Sequence, residues 1–138
     1  MKPLVCIIED DKYIRSDLVA LLEHESCEVR SFAHGKDAWD ALDTTSFRPK
    51  LIILDLVMPV MDGYEFCKAV FEHHELKLIP ALMLSSDRRD DPDIECSDYT
   101  HFMEKPIDLE VFLDFVHRAL KNGAFAKPNK TCASTVQK

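Results

Sequence analysis

Residues Leu51 to Phe66 read LIILDLVMPVMDGYEF. Four apolar residues end abruptly in an acid, Asp55, and a turn around Pro59 and Gly63 leads into an amphipathic segment. A short, wholly apolar run bounded by Pro and Gly suits a β-strand buried on both faces, the hallmark of a parallel sheet covered by helices. Asp55 then stands at the carboxyl end of that strand, the rim where open α/β sheets place their chemistry.

Working outward, the same grammar repeats. Leu4 to Ile8 is a first strand, closed by Glu9-Asp10-Asp11, and Ile14, Leu18, Leu21 and Leu22 follow at helical spacing over Tyr13–Leu22. Cys27–Phe32 is a second, less buried strand, and Ala38, Trp39, Ala41 and Leu42 mark a short second helix. Gly63–Glu75 is a third helix with Phe66, Ala69, Val70 and Phe71 inward. Ala81–Leu84 is a fourth strand ended by Ser85-Ser86. Polar residues 87–99, with Pro92, carry a short fourth helix; His101–Met103 is a minimal fifth strand before Glu104-Lys105-Pro106. The fifth helix, Asp108–Leu120, has Leu109, Phe112, Leu113, Val116 and Leu120 as its inward stripe, widened by Val111 and Phe115, and Asn122-Gly123 stops it. Either the whole face is core, or part of it is a partner or dimer surface.

Five strands alternating with five helices predict an α/β fold of three layers, α/β/α. Its sheet is parallel and doubly wound, and the strand order 2-1-3-4-5 is one of the few that right-handed crossovers allow. One domain is expected over 1–121, and 122–138 reads as a flexible basic tail or linker stub. The net charge of −8 is uneven, with +4 in residues 121–138 and −12 in the first 120. Such an acidic body argues against direct nucleic-acid binding. The five cysteines are odd in number and lack a CxxC pair, which fits reduced thiols in a cytoplasmic protein, and neither a signal peptide nor a membrane span is legible.

At the carboxyl rim the sequence collects Glu9, Asp10 and Asp11 after strand one, Asp55 after strand three, Ser85 and Ser86 after strand four and Lys105 after strand five. Crowded carboxylates repel unless a cation joins them, and oxygen-only ligands favour Mg²⁺, with Mn²⁺ able to substitute. A carboxylate, a cation, a lysine and a hydroxyl together describe a phosphoryl acceptor site with Asp55 as nucleophile. Asp11 suits a helix N-cap better than a metal ligand. The six histidines have no metal spacing, and His73 and His74 read as surface residues.

Taken in order, IIEDDKYIR (7–15), LIILDLVMPVMDGYEF (51–66), ALMLSS (81–86) and FMEKP (102–106) closely resemble the receiver domain of two-component response regulators, over residues 3–121. The resemblance implies a signalling module rather than an enzyme, with Asp55 taking phosphate from the phosphohistidine of a histidine kinase or phosphotransfer protein. It implies Mg²⁺ held by Asp10, Asp55 and the backbone carbonyl of Val57, with Glu9 assisting through water; the offset to Arg15 selects Asp10 over Asp11. It also implies that Ser85 and Lys105 sense the phosphate, that Phe102 is the aromatic switch, and that the Lys105–Pro106 bond is often cis. The surface of helix four, strand five and helix five would then meet a downstream protein, the chain being a monomer or weak dimer. Two departures stand out. Residues 87–99 lack the usual small-residue pattern, and Val57 is apolar where a polar side chain would orient an attacking water. The rival readings are an aspartyl-nucleophile phosphatase of the haloacid-dehalogenase type and a flavodoxin-like cofactor binder. The first needs an acid at Val57, and the second needs a phosphate cradle where Glu9-Asp10-Asp11 would repel phosphate.

Overall fold

In the computed structural model the structure describes residues 2–55, 63–73, 75–85 and 100–123, less the side chains of residues 63, 64, 67 and 85. The wholly apolar strands divide their side chains between two cores by the period-2 alternation of a strand. From β1 (Leu4–Ile8), Val5 and Ile7 join one core and Cys6 and Ile8 the other. From β3 (Leu51–Asp55), Leu51 and Ile53 go to the first core, and Ile52 and Leu54 to the second. These eight residues are no more than 1% exposed, so both faces of the sheet are covered.

Helices α1 (Lys12–His24) and α4 (Leu109–Asn122) close the first core through Leu18, Leu22, Phe112 and Val116. Helices α2 (Gly35–Thr44) and α3 (Gly63–Phe71) close the second through Ala38, Leu42, Phe66 and Val70. With β2 (Glu28–Phe32), β4 (Ala81–Ser85) and β5 (Thr100–Glu104) the sheet is parallel in the order β2-β1-β3-β4-β5, the expected α/β/α architecture. The expected fourth helix, over 87–99, and the tail beyond Gly123 lie outside the described residues, so α4 is the helix expected as the fifth. Gly123 closes it in the left-handed conformation (φ 75°), its N–H donating to the Ala119 carbonyl at 2.8 Å.

Three local readings are corrected. The third helix ends at Phe71 and not Glu75. A 3-10 turn, Leu76–Leu78, follows it because His73 Nδ1 accepts from the N–H groups of Glu75 and Leu76 at 3.1 and 3.2 Å. His73 is thus a half-buried cap with Trp39 edge-on at 6.4 Å, not a plain surface residue. On α4 the inward stripe is Phe112, Phe115, Val116 and Ala119, at i, i+3, i+4 and i+7. Phe115 is core and stacks on buried His101 at 4.1 Å, whereas Leu109 and Val111 are 54% and 44% exposed.

Candidate functional site

All five strands point their carboxyl ends to one rim, and the chain brings its acids there by local rules. The N–H of Glu9 donates to the Phe32 carbonyl at 3.0 Å, continuing the β1–β2 ladder by one residue and fixing where the acidic loop begins. Asp11 caps α1, accepting from the N–H groups of Tyr13 and Ile14 at 2.8 and 3.0 Å, and its own N–H donates to Glu9 Oε2 at 3.1 Å. One turn into the helix, Arg15 Nη1 donates to the Glu9 carbonyl at 2.7 Å and approaches that of Asp10 at 3.5 Å. Asp11 is therefore committed to the helix, which leaves Glu9 and Asp10 for the rim. The sequence marks Arg15 only by its offset from Asp10; the signal for its role in holding the loop is an arginine one helical turn after an acidic run.

Asp55 ends β3, paired in register with Leu84 of β4. Lys105 follows β5 directly and precedes a cis bond to Pro106. Its Nζ lies 3.5 Å from Glu9 Oε1 and 3.5 Å from Asp55 Oδ2. One carboxylate oxygen from each of Glu9, Asp10 and Asp55 falls within 4.8 Å of the others. Glu9, Asp10, Asp55 and Lys105 are thus brought together. Phe102 lies mid-β5 opposite Met83, half-buried against the second core. Ser85 ends β4 in register with Glu104. The Ser85 side chain and the Val57 carbonyl lie outside the described residues.

The electrostatics of the cluster are strained in one direction. Glu9 is only 2% exposed, and burial pushes its carboxyl up to about 7; the Asp11 N–H opposes that rise, the Asp55 charge adds to it and Lys105 again opposes it. Glu9 Oε1 is buried and accepts no hydrogen bond among the described residues. The Lys105 ammonium faces it at 3.5 Å, beyond the roughly 2.7–2.9 Å of a charge-assisted hydrogen bond, so the contact is Coulombic only. An orphaned oxygen beside two more carboxylates, with no nitrogen or sulfur ligand in the cluster, fits a small hard cation.

The sequence pattern of the response regulator receiver domain matches residues 5–117. The chain belongs to the response-regulator receiver family. Among curated relatives, this receiver domain is 35% identical over 82 residues to Protein PilG of Pseudomonas aeruginosa, spanning 59% of each chain. It is 31% identical over 124 residues to the transcriptional regulatory protein AfsQ1 of Streptomyces coelicolor, spanning 88% of this chain and 52% of that one. The chain thus spans little more than half the length of these two relatives. Among solved structures, the Vibrio cholerae chemotaxis protein CheY4 superposes with a TM-score of 0.71 at 29% identity, over 87% of this chain and all of that one. The receiver domain of a signal transduction histidine kinase from Syntrophus aciditrophicus gives 0.74 at 31% identity, over 86% and 90%. Receiver domains are signalling modules and not enzymes of the usual kind, and nothing in these matches supports the phosphatase reading. No helix among the described residues is long and apolar enough to cross a membrane.

Proposed function

We propose that this receiver domain accepts a phosphoryl group on Asp55 from the phosphohistidine of a histidine kinase or phosphotransfer protein, and that the change in charge is read by a downstream protein. The observation that carries this is the Lys105 ammonium 3.5 Å from the Asp55 carboxylate, beside two further acids. A carboxylate oxygen of Asp55 attacks phosphorus, an O–P bond forms as the N–P bond breaks, and the imidazole leaves with its electron pair and takes a proton. Lys105 offsets the charge gathering on the phosphoryl oxygens. Asp10 and Asp55, the Val57 carbonyl and Glu9 through water would hold Mg²⁺, or Mn²⁺ in its place, which when bound neutralises charge on the acceptor and the transferring group.

Ser85 is assigned as the hydroxyl that donates to the bound phosphoryl group and Phe102 as the aromatic that turns inward as the ends of β4 and β5 draw toward it. Phosphorylation would thereby shift a preexisting equilibrium of the surface formed by residues 87–99, β5 and α4. The domain acts in the cytoplasm without binding nucleic acid itself, as a monomer or weak dimer. Incubating wild type and Asp55→Asn with radiolabelled acetyl phosphate and Mg²⁺ tests the reading. Wild type should take up about one label per chain and the variant none; equal labelling would reject Asp55 as acceptor.

A further inference from the structure

The opposite rim, where the strands begin, carries chemistry the phosphoacceptor reading does not use. Between the start of β3, the start of β4 and the last turn of α4 lies a groove of about 470 Å³, within the size range of ligand sites. Its apolar lining includes Pro80, which is buried, Leu120, which is half-buried, and Leu78, whose side chain is 54% exposed. Three cations line it as well: Arg48, Lys50 and Lys121.

Arg48 is fixed in place. Its Nη1 donates to the carbonyls of Leu42 and Phe47, both at 2.8 Å, and Nη2 pairs with Glu75 Oε1 at 2.9 Å. The groove wall is therefore already ordered, which lowers the entropic cost of filling it. Lys50 and Lys121 are different. Both are exposed, and neither is in an ion pair among the described residues. These unpaired cations sit on a chain whose first 120 residues carry −12, and the fifteen residues after Gly123 add three lysines and no acid. The groove thus forms a local positive pole on Lys50 and Lys121, Arg48 being offset by Glu75, while Glu9, Asp10 and Asp55 cluster as a negative one at the phosphoacceptor rim. Lys50 directly precedes β3 and Asp55 ends it, so the two poles are separated by one strand, roughly 17 Å.

We propose that this groove is a docking site for an acidic peptide segment of another protein, with one large apolar side chain seated against Leu78 and Leu120 and carboxylates paired to Lys50 and Lys121. The chain's own basic residues 124–138 are repelled by the same lysines, and complementary charge selects acidic partners. A partner held there leaves the Asp55 rim open, so docking and phosphoryl transfer need not compete. The proposal does not depend on Asp55 being the acceptor.

The test uses the full ¹⁵N-labelled chain and a synthetic ten-residue peptide of Glu, Asp and Ser with one central Phe. Three controls accompany it: Phe replaced by Ala, acids replaced by their amides, and acids replaced by Lys. Amide shifts should cluster at Arg48, Lys50, Leu78, Ile79 and residues 119–123, weaken with salt and vanish with all three controls. Lys50→Glu with Lys121→Glu should weaken binding about tenfold or more while lowering the melting temperature by only a few degrees, since both side chains are exposed and Lys121 favours α4 only through its charge in the last turn. Shifts centred elsewhere, equal binding by the lysine peptide, or no loss in the double variant would overturn the proposal. So would concentration-dependent broadening of the groove amides without peptide, which would assign the groove to a second copy, and movement of the groove amides in the peptide-free chain on deleting residues 124–138, which would assign it to the chain itself.

Discussion

Lys105 Nζ and Asp55 Oδ2 stand 3.5 Å apart although their strands are not neighbours. β4 lies between β3 and β5 in the sheet, so the lysine reaches across a whole strand to the carboxylate. A long, straight side chain leaving the end of β5 can do this, and the same ammonium serves Glu9 one strand further on, after β1. The pairing stabilises the cluster in the absence of metal and competes with any cation that enters it.

Replacing Lys105 by Met should therefore split two properties that move together in simpler sites. With the ammonium gone, the three carboxylates present a more negative potential, and Mg²⁺ should bind about three- to tenfold more tightly in a calorimetric titration. Transfer from acetyl phosphate should slow by roughly tenfold or more, because the charge on the phosphoryl group loses its partner. Weaker Mg²⁺ binding by the variant would show that Lys105 orders the cluster rather than opposing the cation.

Glu9 sets the pH response. Its folded-state value, about 7, is above the ordinary 4.5, so the folded chain holds this proton more tightly than the unfolded one does. The contribution is fully present below the unfolded value and is lost as pH rises through about 7; an ionised Glu9 then burdens the fold. In EDTA, Glu9→Gln should raise stability at pH 8 by an amount on the order of 1–3 kcal/mol, seen as several degrees in the melting temperature, and by little at pH 4. Saturating Mg²⁺ should narrow the difference at pH 8 by stabilising wild type more than the variant. Equal melting temperatures at pH 8 in EDTA would place the buried charge elsewhere.

Asp11 is predicted to act on stability and not on metal. Its carboxylate accepts from two N–H groups that open α1, and Asp11→Ala should cost about 1 kcal/mol, lowering the melting temperature by roughly 3 °C. Mg²⁺ affinity should change less than about twofold, and a tenfold loss would make Asp11 a ligand.

Val57 bears on how long the signal lasts. An apolar side chain two residues after Asp55, the proposed acceptor, cannot orient water for attack on an aspartyl phosphate, so the phosphorylated state should be long-lived. Val57→Asn should shorten the lifetime of the acid-labile label severalfold; an unchanged decay rate would dissociate this position from dephosphorylation.

The strand grammar was legible because it is local. Leu51–Leu54 reads as doubly buried from four consecutive apolar residues, and its end in an acid marks the rim. Asp11 as a cap was legible for the same reason, since an N-cap depends on neighbours two and three residues away. His73 was not. Its role depends on the chain turning back so that the N–H groups of Glu75 and Leu76 meet the ring, which residue type alone does not predict. Leu109 and Ala119 show the same limit on α4: composition marks Leu109 as core and overlooks Ala119, yet the helix buries Ala119 to 1% and leaves Leu109 54% exposed.

The order of residues along the chain determined that Glu9, Asp10, Asp55 and Lys105 each lie at or just past the end of a strand, because hydrophobic runs and their polar stops are properties of consecutive residues. Only the tertiary structure decided how close they come. The parallel order β2-β1-β3-β4-β5 sets β1 against β3 and puts β5 two strands beyond β3, still within reach of a lysine side chain. Distance and burial govern Coulomb energy. The orphaned oxygen of Glu9 and its raised proton affinity therefore arise from packing and were not there to be read in the order of residues.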